Sequence, residues 1–175
     1  MSCVLEGLQL PDQGDRGSRP EKLALLYALV RAQCPKLIIE TGTYRGASAV
    51  VMAAACRDNA YGGLITTDPS RHGQEGLLAD NDLDGWAIVL HAEGEQLMRA
   101  NHGFDFAFID CAWNTRYPTF ELAVERVRPG GMIVVDDVLH PNWRKADKRG
   151  LERILELVTV LPVFHGLGIL TRARE

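Results

Sequence analysis

The chain reads as an α/β protein: a doubly wound, mainly parallel seven-stranded sheet ending in an antiparallel hairpin. Three observations predict it. Strand-like and helix-like segments alternate through five units. The strand-like runs, such as Leu37-Ile38-Ile39 and Phe106-Ala107-Phe108-Ile109, are apolar throughout, as strands covered on both faces should be. The last two runs, Val158 to Val163 and Leu167 to Arg172, lie too close together for a helical crossover, so they pair as a hairpin.

The elements follow in order. Residues 1–19 form an irregular lead-in, and 20–175 form one domain. Ser18-Arg19-Pro20-Glu21 predicts a capped helix start with proline in the first turn. Leu23, Leu26, Tyr27 and Val30 recur at helical spacing to about Gln33, before Pro35 ends the helix. Lys36 to Glu40 is the first strand, and Ala47 to Arg57 the helix after it. Leu64 to Thr67, Trp86 to Leu90, Phe104 to Ile109 and Met132 to Val135 supply four more strands. Between them, Gln74 to Ala79, Glu93 to Ala100 and Pro118 to Val127 read as helices. Trp143 to about Leu157 reads as one further helix, opened by Pro141.

Composition removes several classes of function. A net charge of −4 and the lack of a basic stripe argue against a nucleic-acid partner. The apolar stretches are too short to span a bilayer, and Met1 to Arg19 lacks the pattern of a signal peptide, so a cytoplasmic protein is expected. Cys3, Cys34, Cys56 and Cys111 show no Cys-x-x-Cys spacing and are expected to be reduced thiols.

Function is expected at the carboxyl ends of the strands, where ligands bind in open α/β sheets. Glu40-Thr41-Gly42-Thr43-Tyr44-Arg45-Gly46-Ala47-Ser48 joins a strand to a helix. Gly42 permits a sharp turn, and Gly46 lets a ligand approach the helix start. The spacing is not that of the dinucleotide fingerprint, and Glu40 would face a pyrophosphate unfavourably, so an oxidoreductase is the least favoured reading. A carboxylate at 40 suits a cofactor bearing a charged amine. Asp68 ends the second strand and suits a pair of ribose hydroxyls; the alternative is a cap for the next helix. Glu93 suits an adenine amine, or alternatively favours a helix dipole from the first turn.

This pattern resembles the class I S-adenosylmethionine-dependent methyltransferases with their Rossmann-like fold. It is most similar to the catechol- and caffeoyl-type and the metal-dependent sugar O-methyltransferases, over about residues 20–172. The segment from Glu40 to Val50 resembles the family's Glu-x-Gly-x-Tyr-x-Gly-x-Ser-Ala. The resemblance implies that Glu40, Gly42, Tyr44, Gly46 and Ser48 hold the amino-acid end of S-adenosylmethionine. By the same resemblance Asp68 takes the ribose, Glu93 the adenine, and Asp110 also lies at the cofactor.

Asp110 follows the fourth strand, and Asp136 and Asp137 end the fifth. Adjacent strands lie about 5 Å apart, so the three carboxylates can converge, and a divalent cation such as Mg²⁺ would relieve their repulsion. The resemblance implies that these three are metal ligands and that Asp110 is catalytic; metal-free relatives also carry an Asp after this strand. Catechol-type members place a lysine base where Trp113 stands, and sugar-type members an aspartate where Ala112 stands. His140, with an ordinary pKa of about 6.5, is the remaining candidate base. Trp113, Tyr117, Trp143 and Arg144 suggest a pocket for a flat, acidic acceptor.

The expected function is therefore methylation of a small molecule, an aromatic hydroxyl being favoured, with help from a metal. The alternatives are a metal-free N- or carboxyl-methyltransferase and a non-catalytic cofactor-binding module. A homodimer is expected by analogy with the family, because little chain precedes the first helix.

Overall fold

The computed structural model describes residues 5–12 and 19–174. Ser18 of the expected capping box and Cys3 lie outside the described residues. The helices are α1 (Pro20–Gln33), α2 (Ala47–Asn59), α3 (Gln74–Asp80), α4 (Gly94–Ala100), α5 (Trp113–Arg126), α6 (Pro141–Ala146) and α7 (Lys148–Leu155). The strands are β1 (Leu37–Thr41), β2 (Gly63–Thr67), β3 (Ala87–Leu90), β4 (Phe106–Ile109), β5 (Met132–Asp136), β6 (Thr159–Leu161) and β7 (Leu167–Thr171). They form one sheet in the order β3-β2-β1-β4-β5-β7-β6. The first five strands are parallel, and β7 runs antiparallel to both β5 and β6. The expected fold class is the observed one.

Strand alternation divides the core between the two faces of the sheet. Ile38, Phe106, Phe108 and Val134 pack with Leu23, Leu26 and Val30 of α1 and with Val50 and Met52 of α2. Ile39, Ala107, Ile109, Ile133 and Val135 face the other way, against Leu97, Phe120, Ala123, Trp143, Leu151 and Ile154. Each large side chain fully buried here stabilises the fold by about 1.5–3 kcal/mol. Among the described residues no helix is long and apolar enough to cross a membrane.

Several boundaries differ from the sequence expectation, three of them with consequences for the fold. The helix expected from Pro118 begins at Trp113, leaving Pro118 inside it. Proline has no N–H to donate there, so the carbonyl of exposed Asn114 accepts no intrahelical hydrogen bond from Pro118. In exchange, the added turn carries Arg116 onto the face that buries Phe120 and Ala123. The single helix expected over Trp143 to Leu157 is two. Asp147 leaves helical geometry (φ −149°, ψ 80°) and its side chain accepts from Gly150 N, capping α7. The terminal hairpin pairs over shorter strands than expected, leaving residues 162–166 as its loop.

Candidate active site

Because β1, β4 and β5 are adjacent and parallel, their carboxyl ends open on one side of the sheet. A cavity of about 720 Å³ lies there, a size suited to a small-molecule ligand. Of the residues singled out in the sequence, Gly42, Tyr44, Ser48, Asp68, Glu93, Asp110, Asp136, Asp137 and His140 line it. Glu40 and Gly46 are not among its lining residues.

One half of the cavity is held by backbone. Gly42 N and Thr43 N donate to Thr67 O at 2.8 and 3.2 Å, which ties the turn after β1 to the end of β2. Gly42 sits at φ +93°, and a Cβ there would lie 2.3 Å from the carbonyl oxygen of Asp110. Asp68 accepts from Tyr44 N at 2.8 Å and from Ser70 N at 2.9 Å, clamping the glycine turn to the loop before α3. It caps no helix, since α3 starts only at Gln74. Glu93 is the N-cap of α4 in a reciprocal capping box with Gln96, while still facing the cavity.

Glu40 is placed differently from the expectation. Its carboxylate is fully buried and accepts from Ser48 Oγ and Thr66 Oγ1, each at 2.5 Å. Burial pushes its pKa up to about 7; the two hydroxyl donors pull it down, and Asp68 raises it. It thus stands behind Ser48, which does line the cavity. Gly46 is the N-cap of α2 at φ +93°, and a Cβ there would press on Leu77 at 3.2 Å, so its small size serves packing against α3.

The other half is held by side chains. One oxygen each of Asp110, Asp136 and Asp137 lies within 4.8 Å of the others, so the predicted convergence occurs. Two cations meet them. Lys22 Nζ lies 2.5 Å from Asp136 Oδ1 and 3.3 Å from Asp137 Oδ1. Arg116 Nη2 bonds Asp110 Oδ1, and its Nη1 lies 3.7 Å from Asp137 Oδ2. Arg116 also donates to Cys111 O at 2.6 Å and to Asp136 O at 2.9 Å.

Burial, then the neighbouring Asp136, carries the Asp110 carboxyl well above the ordinary carboxylate range. Burial and Asp137 likewise raise that of Asp136. Burial works against the charge on Lys22, but Asp136 and Asp137 outweigh it and raise its pKa.

A Mg²⁺ ion takes oxygen ligands at about 2.1 Å. The carboxylates alone form a plausible donor set, yet Asp136 Oδ1 already accepts from Lys22 and Asp110 Oδ1 from Arg116. A divalent ion set among them would stand beside two buried positive groups. As arranged, these residues do not fit a metal.

Sequence reasoning missed Lys22, Arg116, Phe164 and His165, all of which line the cavity. Phe164 and His165, in the β6–β7 loop, touch ring to ring at 4.0 Å, and His165 meets His140 at 4.3 Å. Trp113 stacks on His140 at 5.0 Å. Of the other expected pocket residues, Trp143 is fully buried in the core, whereas Tyr117 bonds Glu121 and Arg153 away from the cavity. Arg144 is exposed and does not line it. His140 caps α6: its Nδ1 accepts from Asn142 N at 3.0 Å, which leaves the proton of the neutral ring on Nε2. Its pKa is lowered, by burial first and by His165 among the neighbouring charges, although Asp137 raises it.

A methyltransferase-domain family model matches residues 39–138. Solved structures share the fold. The methyltransferase PaMTH1 of Podospora anserina, bound to S-adenosylhomocysteine, superposes with a TM-score of 0.79 at 18% identity, covering 99% of this chain and 93% of that one. The O-methyltransferase TomG of Streptomyces achromogenes, involved in tomaymycin synthesis and solved with S-adenosylmethionine, gives 0.78 at 22% identity over 91% and 83% of the two chains. An O-methyltransferase of Bacillus cereus, solved with S-adenosylhomocysteine, gives 0.73 at 23% over 93% and 84%. No curated protein matches the sequence.

Proposed function

The chain belongs to the methyltransferase-domain family, that of the class I S-adenosylmethionine-dependent methyltransferases, and from that premise we propose that it methylates a hydroxyl oxygen of a small, flat acceptor. The observation that carries this reading is the cavity itself: it joins a backbone-held half at the glycine turn to a carboxylate half walled by aromatic rings. The O-methyltransferases among the structural neighbours support the choice of oxygen as acceptor atom.

When bound, S-adenosylmethionine supplies a sulfonium methyl: the acceptor oxygen–carbon bond forms, the carbon–sulfur bond breaks, and the bonding pair stays on sulfur. The residues of this chain do the rest. In our reading Tyr44, Ser48, Asp68 and Glu93 hold the cofactor along the glycine-turn half, with Glu40 fixing Ser48 from behind. Trp113, His140 and Phe164 flank the acceptor ring and keep its oxygen in line with the methyl. Asp110 receives the hydroxyl proton; its side chain is about a quarter exposed and lines the cavity that the acceptor enters. His140 acts as a donor toward the acceptor rather than as the base, because its Nδ1 lone pair is engaged by Asn142 N. The metal-assisted version of the reaction implied by the sequence resemblance is not carried forward, since Lys22 and Arg116 already engage the carboxylates.

Calorimetric titration with S-adenosylmethionine tests the cofactor half. Micromolar binding that falls at least about tenfold in Ser48→Ala is the expected result. Absence of binding would overturn the reading. A panel of phenols and aliphatic alcohols, followed by release of S-adenosylhomocysteine, tests the acceptor half; turnover of amines alone would refute the oxygen assignment.

A further inference from the structure

We propose that the Lys22 ammonium and the Arg116 guanidinium take the place of a divalent cation at the carboxyl ends of β4 and β5, so that the three aspartates are organised without a metal. This rests on the methyltransferase reading and concerns how its acceptor half is assembled.

Both cations are built into the fold. The Lys22 side chain is 2% exposed and that of Arg116 5%. They come from opposite faces of the sheet, Lys22 from α1 and Arg116 from α5, and close on the carboxylates from two sides. Neither is free to swing away. The guanidinium is pinned by the carbonyls of Cys111 and Asp136, and its Cζ sits 4.2 Å from the ring of Trp113 and 5.1 Å from that of Trp143. The ammonium lies 5.4 Å from the Phe164 ring.

Charge balance points the same way. Among the described residues, three ionised carboxylates against two cations leave one negative charge in the cluster. A divalent ion would make that +1 and place like charges within a few ångströms in a poorly solvated site. Displacing Lys22 and Arg116 instead would strand two buried cations without partners, which proteins avoid. Lys22 and Arg116 are therefore positioning residues. They hold Asp110, Asp136 and Asp137 in the places that the acceptor meets.

The test reads metal binding directly. Mn²⁺ is titrated into the full-length protein and free Mn²⁺ followed by electron paramagnetic resonance, with S-adenosylmethionine binding measured by calorimetry in chelator on the same sample. The wild type should bind Mn²⁺ no more tightly than about 1 mM, while the double variant Lys22→Gln/Arg116→Gln should bind it at least about tenfold more tightly. Wild-type binding in the micromolar range, competed by Mg²⁺ and lost in Asp136→Asn, would overturn the inference. So would a folded double variant that gains no affinity. Should the double variant fail to fold, thermal melting of the wild type decides: a melting temperature equal in Mg²⁺ and in chelator supports the inference, and a rise in Mg²⁺ that Asp136→Asn abolishes overturns it. Failure of S-adenosylmethionine to bind would instead strike the methyltransferase reading, whatever Mn²⁺ does.

Discussion

The two halves of the cavity are made by different means. At the glycine turn, main-chain groups do most of the holding: Gly42 and Thr43 on Thr67 O, and Tyr44 N and Ser70 N on Asp68. At the carboxylate end, long side chains from α1 and α5 reach in to meet aspartates on β4 and β5. The first half is local, since every contact spans neighbouring strands and the turns that leave them. The second depends on a charge set brought from both faces of the sheet. A site held by backbone is sensitive to shape, and a site held by buried ions is sensitive to the loss of any one charge.

Removing one ion is therefore the largest perturbation we expect. Lys22→Ala leaves Asp136, itself 2% exposed, without its ammonium. Breaking a buried pair from one side destabilises a protein by about 3–5 kcal/mol. Urea denaturation at neutral pH should show a loss of that order, and the loss should shrink at acidic pH as the stranded carboxylates take up protons. A loss below about 1 kcal/mol would mean that the pair is solvated and the contrast between the halves is false.

Glu40 gives the glycine half one buried charge of its own, and pH should expose it. Its folded pKa of about 7 lies above the ordinary 4.5 because burial disfavours the anion. Below the lower value both folded and unfolded chains hold the proton. As pH rises from there, only the unfolded chain releases it, so stability falls until the folded carboxyl also ionises. Above pH 7 the deficit levels off on the order of 3 kcal/mol. Glu40→Gln has no such proton to lose. Its melting temperature relative to wild type, both without cofactor, should climb between acidic and mildly alkaline pH. A flat difference would mean that Ser48 and Thr66 already compensate the charge.

The sequence exposed the local half better than the distant one, and the reason is physical. Strand alternation, the glycine turn and the carboxylates at strand ends are written in neighbouring residues, so the sheet, Gly42, Asp68 and the convergence of Asp110, Asp136 and Asp137 were all readable. Side chains that arrive from elsewhere are not written that way. Lys22 did leave a trace: it lies four residues before Leu26 on the buried face of α1, where a lysine is out of place. Arg116 precedes Phe120 by the same interval, but Pro118 reads as a helix start, which hides the turn that carries it. Phe164 and His165 left no local signal, because only the pairing of β6 with β7 decides where their loop lies. Glu40 is legible as a strand-end carboxylate, but nothing in its neighbourhood announces that Ser48 and Thr66 will cover it.

Gly42 is where the two halves touch, and a single methyl group tests the junction. In Gly42→Ala the new Cβ would overlap the Asp110 carbonyl at 2.3 Å while the backbone stays at φ +93°. Overpacking and strain of this kind destabilise by about 1–3 kcal/mol. The relief available is for the turn to move away from β4, so weakened S-adenosylmethionine binding should accompany the lower stability. Lower stability with unchanged cofactor affinity would show that the two halves can separate without harm.

The smallest effect should come from Glu93, and it separates two roles that the geometry superimposes. The carboxylate caps α4 and also faces the cavity. Losing the cap in Glu93→Ala should lower stability by about 1 kcal/mol. Glu93→Ser keeps a capping oxygen but withdraws the longer side chain from the cavity. If Glu93 serves only α4, serine should restore both stability and cofactor affinity, since a properly started helix is all that the site requires of it. If the carboxylate also meets the adenine, serine should restore stability alone and leave S-adenosylmethionine binding weakened to the extent seen in alanine. Calorimetry and thermal melting on the same two variants distinguish the outcomes, because the cap acts on the helix whether or not cofactor is present, whereas a contact acts only when it is bound.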